Sequence, residues 1–409
     1  MTNLASPSGS LSAPSVAPPS LALLAVLASI PSLASNILLP SLPAIRSEFA
    51  TSTTTVQLTI SVFFAGLAVG QIVMGALSDR YGRRPVILAG TALFVAGCAL
   101  ASVAGSIGML LFARLLQALG GGAGAAISRA VVRDSYPRER SAAVMGYLMM
   151  AISVGPMLGP ALGGVIEDHF GWRVGFETLT ALFCIIFAII WFNLAETNPL
   201  ERRTTNGFGG LMRNFVLLGR EPVFRQYCLT LSLSSSVYFS FIGAGHHVAT
   251  HVFGLSPSLF GISMVTLSIG FLIGGYSAGR MVARFGIVKA IWMGNAVTLC
   301  GLALIIALFA LGVNHPLSLF LPMVIIGSGN GALAPTATAG AVSVRPDLAG
   351  AASGLTGFLQ IGVGAVTTVL MGILIDMGLW DGTAWVLIVS MSVAAGLCFI
   401  ASRFLPVDR

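Results

Sequence analysis

Charged residues are scarce in this sequence. Asp, Glu, Lys and Arg together make up 9% of the 409 residues, whereas soluble domains carry about 25%. Hydrophobic residues make up 56%, and the mean hydropathy is +0.93. Cysteine is scarce as well, and the five cysteines stand singly in apolar segments without the spacing of a metal site or a disulfide framework. This composition excludes an ordinary water-soluble domain and gives no sign of a metal centre.

The motifs that mark nucleotide-dependent proteins and enzymes are missing too. No glycine-rich loop ends in Lys-Ser or Lys-Thr, which argues against an ATP-driven pump. The glycine clusters at 120–124 and 327–331 lie inside apolar segments, where a dinucleotide does not bind. The sequence also lacks a recognisable pairing of a nucleophile with a base. We therefore predict a protein that is not an enzyme and that binds no cofactor or metal.

Apolar runs long enough to cross a membrane occupy most of the chain. About 20 apolar residues in a helix cross the ~30 Å hydrocarbon core of a bilayer. Runs of this length predict about twelve transmembrane spans. Their predicted positions are 20–44, 54–77, 86–104, 107–132, 141–166, 172–194, 226–250, 258–281, 287–312, 317–342, 350–376 and 382–404.

The longest polar interval divides these spans into two sets of six. We predict an N-terminal half at 20–194, a central cytoplasmic loop at 195–225 and a C-terminal half at 226–404, with a disordered cytoplasmic tail at 1–19 and a short tail at 405–409. Transporters are commonly built from such repeats and bind substrate between them, near the middle of the membrane. The predicted fold class is therefore an all-α integral membrane protein with two pseudo-symmetric six-helix halves.

Basic residues lie almost entirely on one side of the predicted spans. Short loops rich in Lys and Arg stay in the cytoplasm. If the N-terminus is cytoplasmic, only Arg46 and Arg173 of the 21 Lys and Arg residues fall outside, and only Arg114 falls inside the membrane; all others, Arg129 among them, belong to the cytoplasmic side. The sequence therefore predicts that both termini are cytoplasmic. The net charge of +7 reflects this topology rather than nucleic-acid binding.

A basic turn follows the second span. It reads Gly75-Ala-Leu-Ser-Asp79-Arg80-Tyr81-Gly82-Arg83-Arg84. Gly82 permits a tight turn, and Asp79, the only acid in the turn, should be ionised and able to pair internally or to cap a neighbouring helix. A generic basic loop would need neither Asp79 nor Gly75.

This turn resembles the motif between helices two and three of the major facilitator superfamily. The resemblance implies that Asp79, Arg80, Gly82 and Arg83 lock the two halves in the outward-closed state and release them during turnover. We assign the neighbouring Arg84 to the same gating group, together with the pair Arg133-Asp134 after span four.

Span five carries a row of small residues. Gly155, Gly159 and Gly163 are one helical turn apart and form a flat ridge against which another helix can pack closely. With Gly146, Pro160 and Gly164, the row resembles the antiporter motif of helix five in drug:proton antiporters of the superfamily. A plain packing face would explain the small residues but not the full pattern. We expect the ridge to seal against span eight, at Gly270 and Gly274.

Arg114 is the only arginine that no predicted loop contains. A charge at membrane depth costs about 2.5 to 3.5 kcal/mol on insertion scales, so we expect Arg114 to face a polar cavity. The alternative is that its side chain reaches the headgroups at the outer surface. Arg114-Leu-Leu-Gln117-Ala-Leu-Gly120 resembles the motif of span four in proton-coupled exporters. That resemblance implies a role for Arg114 and Gln117 in proton coupling.

Further motifs resemble the bicyclomycin-resistance (Bcr/CflA) branch of the drug:proton antiporters. They include Leu39-Pro40-Ser-Leu-Pro43, Gly171-Trp172-Arg173 and Gly357-Phe-Leu-Gln360, and the resemblance covers about 20–404. It implies a monomeric exporter of a drug or metabolite, driven by protons, in the bacterial inner membrane. A proton-symport importer or a facilitator of the same fold remains the alternative.

The first span departs from this branch at one position. Many relatives carry an aspartate shortly before the Leu-Pro, where this sequence has Asn36. Asparagine forms hydrogen bonds but does not titrate, which favours neutral or zwitterionic cargo over cationic drugs. Other polar residues at membrane depth are candidates for the cavity lining or for proton coupling. They are His246, His247, Asn330 and Gln360.

Overall fold

A computed structural model describes residues 20–136, 138–203 and 207–406. The described residues form helices and short connections, without a β-strand among them. The helices are α1 (Leu21–Asn36), α2 (Leu42–Glu48), α3 (Thr53–Tyr81), α4 (Arg83–Ser102), α5 (Ile107–Ser135), α6 (Arg138–Phe170), α7 (Trp172–Asn193), α8 (Gly207–Arg220), α9 (Pro222–His247), α10 (Pro257–Phe285), α11 (Ile287–Ala310), α12 (Pro316–Phe320), α13 (Met323–Ser343), α14 (Ala349–Asp376) and α15 (Trp385–Ser402). The predicted tail at 1–19 and the end of the C-terminal tail lie outside the described residues.

The helices account for the predicted membrane spans. Eleven helical stretches within the described residues are long and apolar enough to cross a bilayer. The 33-residue helix α6 occupies the place of the fifth predicted span. The prediction of an all-helical membrane protein is therefore confirmed.

Prolines interrupt two of the spans that we predict as continuous. Span 20–44 is divided into α1 and α2 by a 3-10 turn at Leu39–Ser41, and span 317–342 into α12 and α13. Pro40 lies within the first interruption and Pro322 within the second. Proline has no N–H to donate to the preceding turn, so a helix that reaches one tends to stop and restart.

The predicted central loop at 195–225 contains a helix, α8, that is not among the sequence-based predictions. Helix α8 packs beside α3, α9 and α14. Leu218 is buried, while Arg213 and Arg220 are exposed. Helix α8 is therefore amphipathic, with an apolar side against the bundle.

The spanning helices form two sets that repeat each other. In the first set α5 packs against α1, α3 and α4, and α6 packs against α1; in the second, α13 packs against α9, α10 and α11, and α14 packs against α9. The two main contacts between the sets are α6 with α10 and α14 with α3. These two contacts are also equivalent, because α6 corresponds to α14 and α10 to α3. The halves are thus pseudo-symmetric, as the sequence predicts.

The two ends of the bundle differ. The basic end holds the α3–α4 turn at Gly82 and the α10–α11 turn at Gly286, with Arg83, Arg84 and Arg284 beside them. The closed end holds the first turns of α3 and α10 and the last turns of α6 and α14. At the closed end the two halves contact each other, as described below.

Candidate transport cavity and its gates

A cavity of about 430 Å³ lies between the two halves. Its lining comes from α1, α3, α5 and α6 of the first half and from α9, α10, α13 and α14 of the second. Aromatic rings line this cavity. The centroids of Phe64 and Phe239, from opposite halves, are 4.9 Å apart, and those of Tyr238 and Phe271, both from the second half, are 5.8 Å apart. A largely apolar lining with a few polar groups is typical of small-molecule sites, whose volumes run from about 300 to 1,000 Å³.

Three of the predicted cavity residues line this space. They are Asn36, Asn330 and Gln360. The hydroxyl of Ser234 donates to Asn330 Oδ1 at 2.5 Å, and Gln360 Nε2 donates to Ser235 Oγ at 2.8 Å. Their position in the cavity fits the prediction, and their role in transport stays a prediction.

Arg129 is the only charged residue that lines the cavity in the described part of the chain. Its Nη2 donates to Gln71 Oε1 at 2.8 Å. The count of basic residues places Arg129 on the cytoplasmic side. That assignment overlooked the side chain's access to the cavity. The available signal was that Arg129 lies inside the predicted span 107–132.

Two carboxylates join the halves at the closed end. Asp376, the last residue of α14, accepts hydrogen bonds from the backbone N–H groups of Thr53 at 3.0 Å and Thr54 at 2.7 Å, and from the Thr54 hydroxyl at 2.6 Å. Asp168, near the end of α6, accepts from the backbone N–H of Ser258 at 3.0 Å and from its hydroxyl. Both carboxylates thus bind the first turn of a helix in the other half. The free N–H groups and partial positive charge at a helix start stabilise such contacts.

The two carboxylate contacts between the halves have the same local sequence pattern. Each carboxylate follows a glycine by four residues, Gly164 before Asp168 and Gly372 before Asp376. A Cβ atom added to either glycine would lie less than 3.0 Å from backbone atoms of the facing helix, so each glycine permits the close approach. We call Gly164 with Asp168 and Gly372 with Asp376 the two latches. The sequence-based predictions do not include them, although the ends of spans five and eleven repeat Gly-x-x-x-Asp.

The glycine ridge of span five faces α1 rather than α10. Cβ atoms added to Gly155, Gly159 and Gly163 would each lie less than 3.0 Å from residues of the α1 region, at Gly163 from the carbonyl of Ile37. The prediction that this ridge seals against span eight is therefore wrong. Residues four apart share one side of a helix, and this side of α6 is turned towards its own half.

Other small residues make the contact between α6 and α10. Gly164 faces the start of α10, and a Cβ atom on Gly261 would lie less than 3.0 Å from the carbonyl oxygen of Pro160. Gly270 and Gly274, which we expected at this contact, pack against α13. Gly146 is part of α6, but its surroundings lie outside the described residues.

Comparison with known proteins identifies the family. Residues 24–366 match the Major Facilitator Superfamily. The chain belongs to this superfamily. Its members are membrane transporters rather than enzymes, which confirms the predictions of a transport function and of no enzymatic activity.

Relatives place this superfamily member near resistance proteins. It is 27% identical to the bicyclomycin resistance protein homolog of Haemophilus influenzae, over 87% of each chain. It is 30% identical to multidrug resistance protein D of Escherichia coli K12, over 84% of this chain and 86% of the relative. A chloramphenicol resistance protein of Pseudomonas aeruginosa is 29% identical, over 83% and 79%. These relatives confirm the resemblance to the bicyclomycin-resistance branch.

Solved structures of the superfamily share the fold. A bacterial homolog of the human lysosomal transporter Spinster, in an inward-facing and occupied conformation, superposes with a TM-score of 0.73 at 17% identity, covering 94% of this chain and 95% of that one. A D-xylose-proton symporter superposes with a TM-score of 0.72 at 15% identity, covering 94% and 97%. At these identities the likeness establishes the fold alone.

The superfamily motif after α3 centres on Arg83. The buried guanidinium of Arg83 donates to Ser78 Oγ at 2.7 Å, to Asp79 Oδ1 at 2.5 Å and to Asp134 Oδ2 at 2.9 Å. Asp79 therefore pairs internally, one of the two options that the sequence allows. Asp134, from the end of α5, is a second acid in the cluster.

Glu196 also belongs to this cluster, although the sequence-based predictions do not include it. Its carboxylate accepts the backbone N–H of Arg83 at 2.8 Å and of Arg84 at 3.1 Å, so it caps the start of α4. Gly82 has φ +104°, and a Cβ atom there would clash with this carboxylate. These partners all precede α8, so the described contacts of Arg83 do not join the two halves in this structure. The predicted locking role of the motif stays a prediction.

Arg114 does not face the cavity. Its side chain is fully buried within the first half, where Nε donates to the Thr59 carbonyl at 3.2 Å and Nη1 to the Ala34 carbonyl at 3.1 Å and Gln117 Oε1 at 2.8 Å. The guanidinium lies 4.1 Å from the ring centroid of Phe63. Carbonyls and an aromatic face thus replace water around the cation. Both the expectation of a cavity-facing Arg114 and the alternative of a headgroup contact are wrong.

The arginine in the span-four motif can be tested by substitution with an uncharged residue of similar size. We expect Arg114→Met to lower the melting temperature, because the Thr59 and Ala34 carbonyls and Gln117 Oε1 lose their donor. If Arg114 takes part in proton transfer, proton-linked transport in proteoliposomes should fall about 100-fold. Arg114→Lys, which keeps the charge, serves as the control. Full transport by Arg114→Met would contradict a role in proton coupling.

The histidines of span seven do not line the cavity. His246 and His247 end α9, after the cavity-lining residues Tyr238 and Phe239 of the same helix, and neither histidine belongs to the cavity lining. His246 is buried, and its Nδ1 has no hydrogen-bond partner among the described residues. The rings of His247 and His251 stack with centroids 4.5 Å apart. The prediction that His246 and His247 line the cavity is therefore wrong, and a role in proton coupling stays a prediction.

Proposed function

We propose that this superfamily member exports small molecules from the bacterial cytoplasm in exchange for protons, by alternating access. The observation that carries the proposal is the cavity between two equivalent halves, with two equivalent latches closing it at one end. Such an arrangement can expose a central site to either side of the membrane if the halves rock. Relatives named for resistance to bicyclomycin, to chloramphenicol and to several drugs support export.

The direction of transport rests on span five and on topology. The row of small residues in α6 resembles the antiporter motif of drug:proton antiporters. We place the basic end in the cytoplasm because loops rich in Arg and Lys stay there. Both termini are then cytoplasmic. We further propose that the membrane is the bacterial inner membrane and that the protein works as a monomer.

In this orientation the structure is inward-facing. The latches close the periplasmic side, and in this proposal cargo enters the cavity from the basic end. To release cargo outside, the protein must break both latches and bring the basic ends of the halves together. The resemblance predicts that Asp79, Arg80 and Arg83 lock the outward-closed state, but the described contacts of Arg83 stay within the first half here. We therefore propose that these residues join the halves in the opposite, outward-facing state. The inward proton gradient supplies the free energy.

The proposal can be tested with the purified protein in proteoliposomes under an imposed pH gradient. Bicyclomycin, chloramphenicol, sulfonamides and amino acids are supplied in turn, and a pH-sensitive dye reports proton movement while labelled cargo reports flux. We expect cargo-dependent proton movement opposite to the cargo, which is abolished when an ionophore collapses the gradient.

Two other outcomes would contradict the proposal. If protons and cargo move in the same direction, the protein is a symporter, the alternative with which the fold of the D-xylose-proton symporter is compatible. If cargo flux ignores the gradient, the protein is a facilitator or uses another ion. Protein-free liposomes provide the baseline for all three outcomes.

A further inference from the structure

The charge of the cavity limits the cargo that it can bind. We infer that the cavity selects compounds carrying an anionic group, a carboxylate above all, and that Arg129 recognises this group. The inference rests on the proposed transport of small molecules through this cavity and names their chemical class. It goes beyond the expectation from Asn36, which disfavours cationic drugs without identifying a group that would attract an anion.

Most N–H donors of the Arg129 guanidinium have no partner among the described residues. A guanidinium carries five N–H groups in a planar fork that matches the two oxygens of a carboxylate. Within the described residues, the only hydrogen bond of the Arg129 guanidinium is the one from Nη2 to Gln71 Oε1 at 2.8 Å. Gln71 therefore positions the side chain and leaves most of its donors available at the cavity wall.

No described lining residue balances this charge. Among the described residues the cavity lining contains no Asp or Glu, and Asn36 stands near the position where many relatives carry an aspartate. The other polar side chains are largely paired with each other, as in the Ser234–Asn330 and Gln360–Ser235 hydrogen bonds. A cationic group would meet Arg129 without a counter-charge, whereas an anion would form charge-assisted hydrogen bonds with it.

The rest of the lining indicates how such a compound would lie. Phe64, Phe239 and Phe271 surround the middle of the cavity, whereas Arg129 lies closer to the basic end, on the last turns of α5. An apolar or aromatic body would therefore pack among the rings and direct its carboxylate towards the basic end. The apolar walls strengthen this attraction because they keep the local dielectric constant low.

Three probes that share a naphthalene ring and carry an anionic, a neutral or a cationic group test the inference. They are 1-naphthoate, 1-naphthamide and 1-naphthylmethylammonium, and their binding to the full-length purified protein is measured by isothermal titration calorimetry. We expect the naphthoate to bind about tenfold to a hundredfold more tightly than the amide, the range that a hydrogen bond to a charged group contributes. The ammonium compound should bind most weakly.

Variants then assign the preference to Arg129. Arg129→Gln should remove the preference for naphthoate while leaving the affinity for the amide unchanged, and Arg129→Lys should retain part of it. Arg284→Gln removes an exposed cation near the same end and controls for net charge; it should behave like the wild type. If Arg129→Gln does not fold, Arg129→Lys still tests the inference. Lysine lacks the planar fork of the guanidinium, so this variant should bind naphthoate more weakly than the wild type and bind the amide equally well.

Several results would overturn the inference. They are equal binding of the three probes by the wild type, retention of the naphthoate preference in Arg129→Gln, and binding of naphthoate by Arg129→Lys as tightly as by the wild type. Proton-linked export of neutral compounds together with any of these would leave the proposed function intact. Conversely, Arg129-dependent binding of naphthoate without proton-linked flux would retain this inference and reject the proposed antiport.

Discussion

Replacing Asp168 and Asp376 together by alanine is expected to open the closed end. Each latch is a carboxylate that caps a helix start, and the loss of such a cap costs about 1 kcal/mol. The two latches are far apart along the chain and share no partner, so their contributions should add to about 2 kcal/mol. That shifts the equilibrium between closed and open ends by about thirtyfold.

A cysteine placed in the cavity can report this shift. The reporter is Ala334→Cys, in a background in which the five native cysteines are replaced, because Cys184 and Cys300 are exposed. In right-side-out membrane vesicles, a membrane-impermeant maleimide should label the reporter about thirtyfold faster in the double variant, provided that the closed end faces outwards. Each single variant should show an increase of about fivefold.

A matched control separates the latches from the general effect of losing a carboxylate. Asp381 is exposed in the connection after α14, and its carboxylate accepts a hydrogen bond from the backbone N–H of its neighbour Gly382. In the Asp381→Ala variant the Ala334→Cys reporter should therefore be labelled at the same rate as in the parent. Unchanged labelling of the double variant, at an unchanged melting temperature, would show that the carboxylates do not hold this end closed.

Valine at Gly163 and valine at Gly261 should impair the protein in different ways. The added side chain at Gly163 would press on the carbonyl of Ile37, within the first half. Helix α6 and the α1 region cannot separate at this point without disturbing the packing of the first half. Such overpacking costs about 1 to 3 kcal/mol or more. We expect Gly163→Val to lower the melting temperature and the yield of folded protein.

At Gly261 the added side chain would press on the carbonyl of Pro160, across the contact between the halves. The halves can respond by moving apart as rigid bodies, which leaves each of them intact. Gly261→Val should therefore keep its melting temperature, lose transport and increase external labelling of the Ala334→Cys reporter.

The control for this pair is Gly279→Val, on the same helix as Gly261. No heavy atom of a neighbour lies within 4 Å of a Cβ atom at that position. This variant should transport and label as the parent does. A melting temperature of Gly163→Val equal to that of Gly279→Val would contradict the assignment of the glycine ridge to the interior of one half.

Composition and apolar run length predicted the spans of this protein, because an apolar segment of about 20 residues has few alternatives to a helix across a bilayer. The division into two halves was also predictable, from one long polar interval. The sequence likewise showed that Gly155, Gly159 and Gly163 form one packing ridge, because helical phase alone places residues four apart on one side.

The tertiary structure decided which neighbour each side of a helix contacts. It turned the ridge towards α1, buried Arg114 inside the first half, brought Arg129 to the cavity and paired Asp168 and Asp376 with helices of the other half. In a spanning helix nearly every side is apolar, so the sequence carries little pattern to distinguish a side facing lipid from one facing protein. The rotation of each helix follows from packing between segments distant in the chain, and these contacts determine the cavity and its latches.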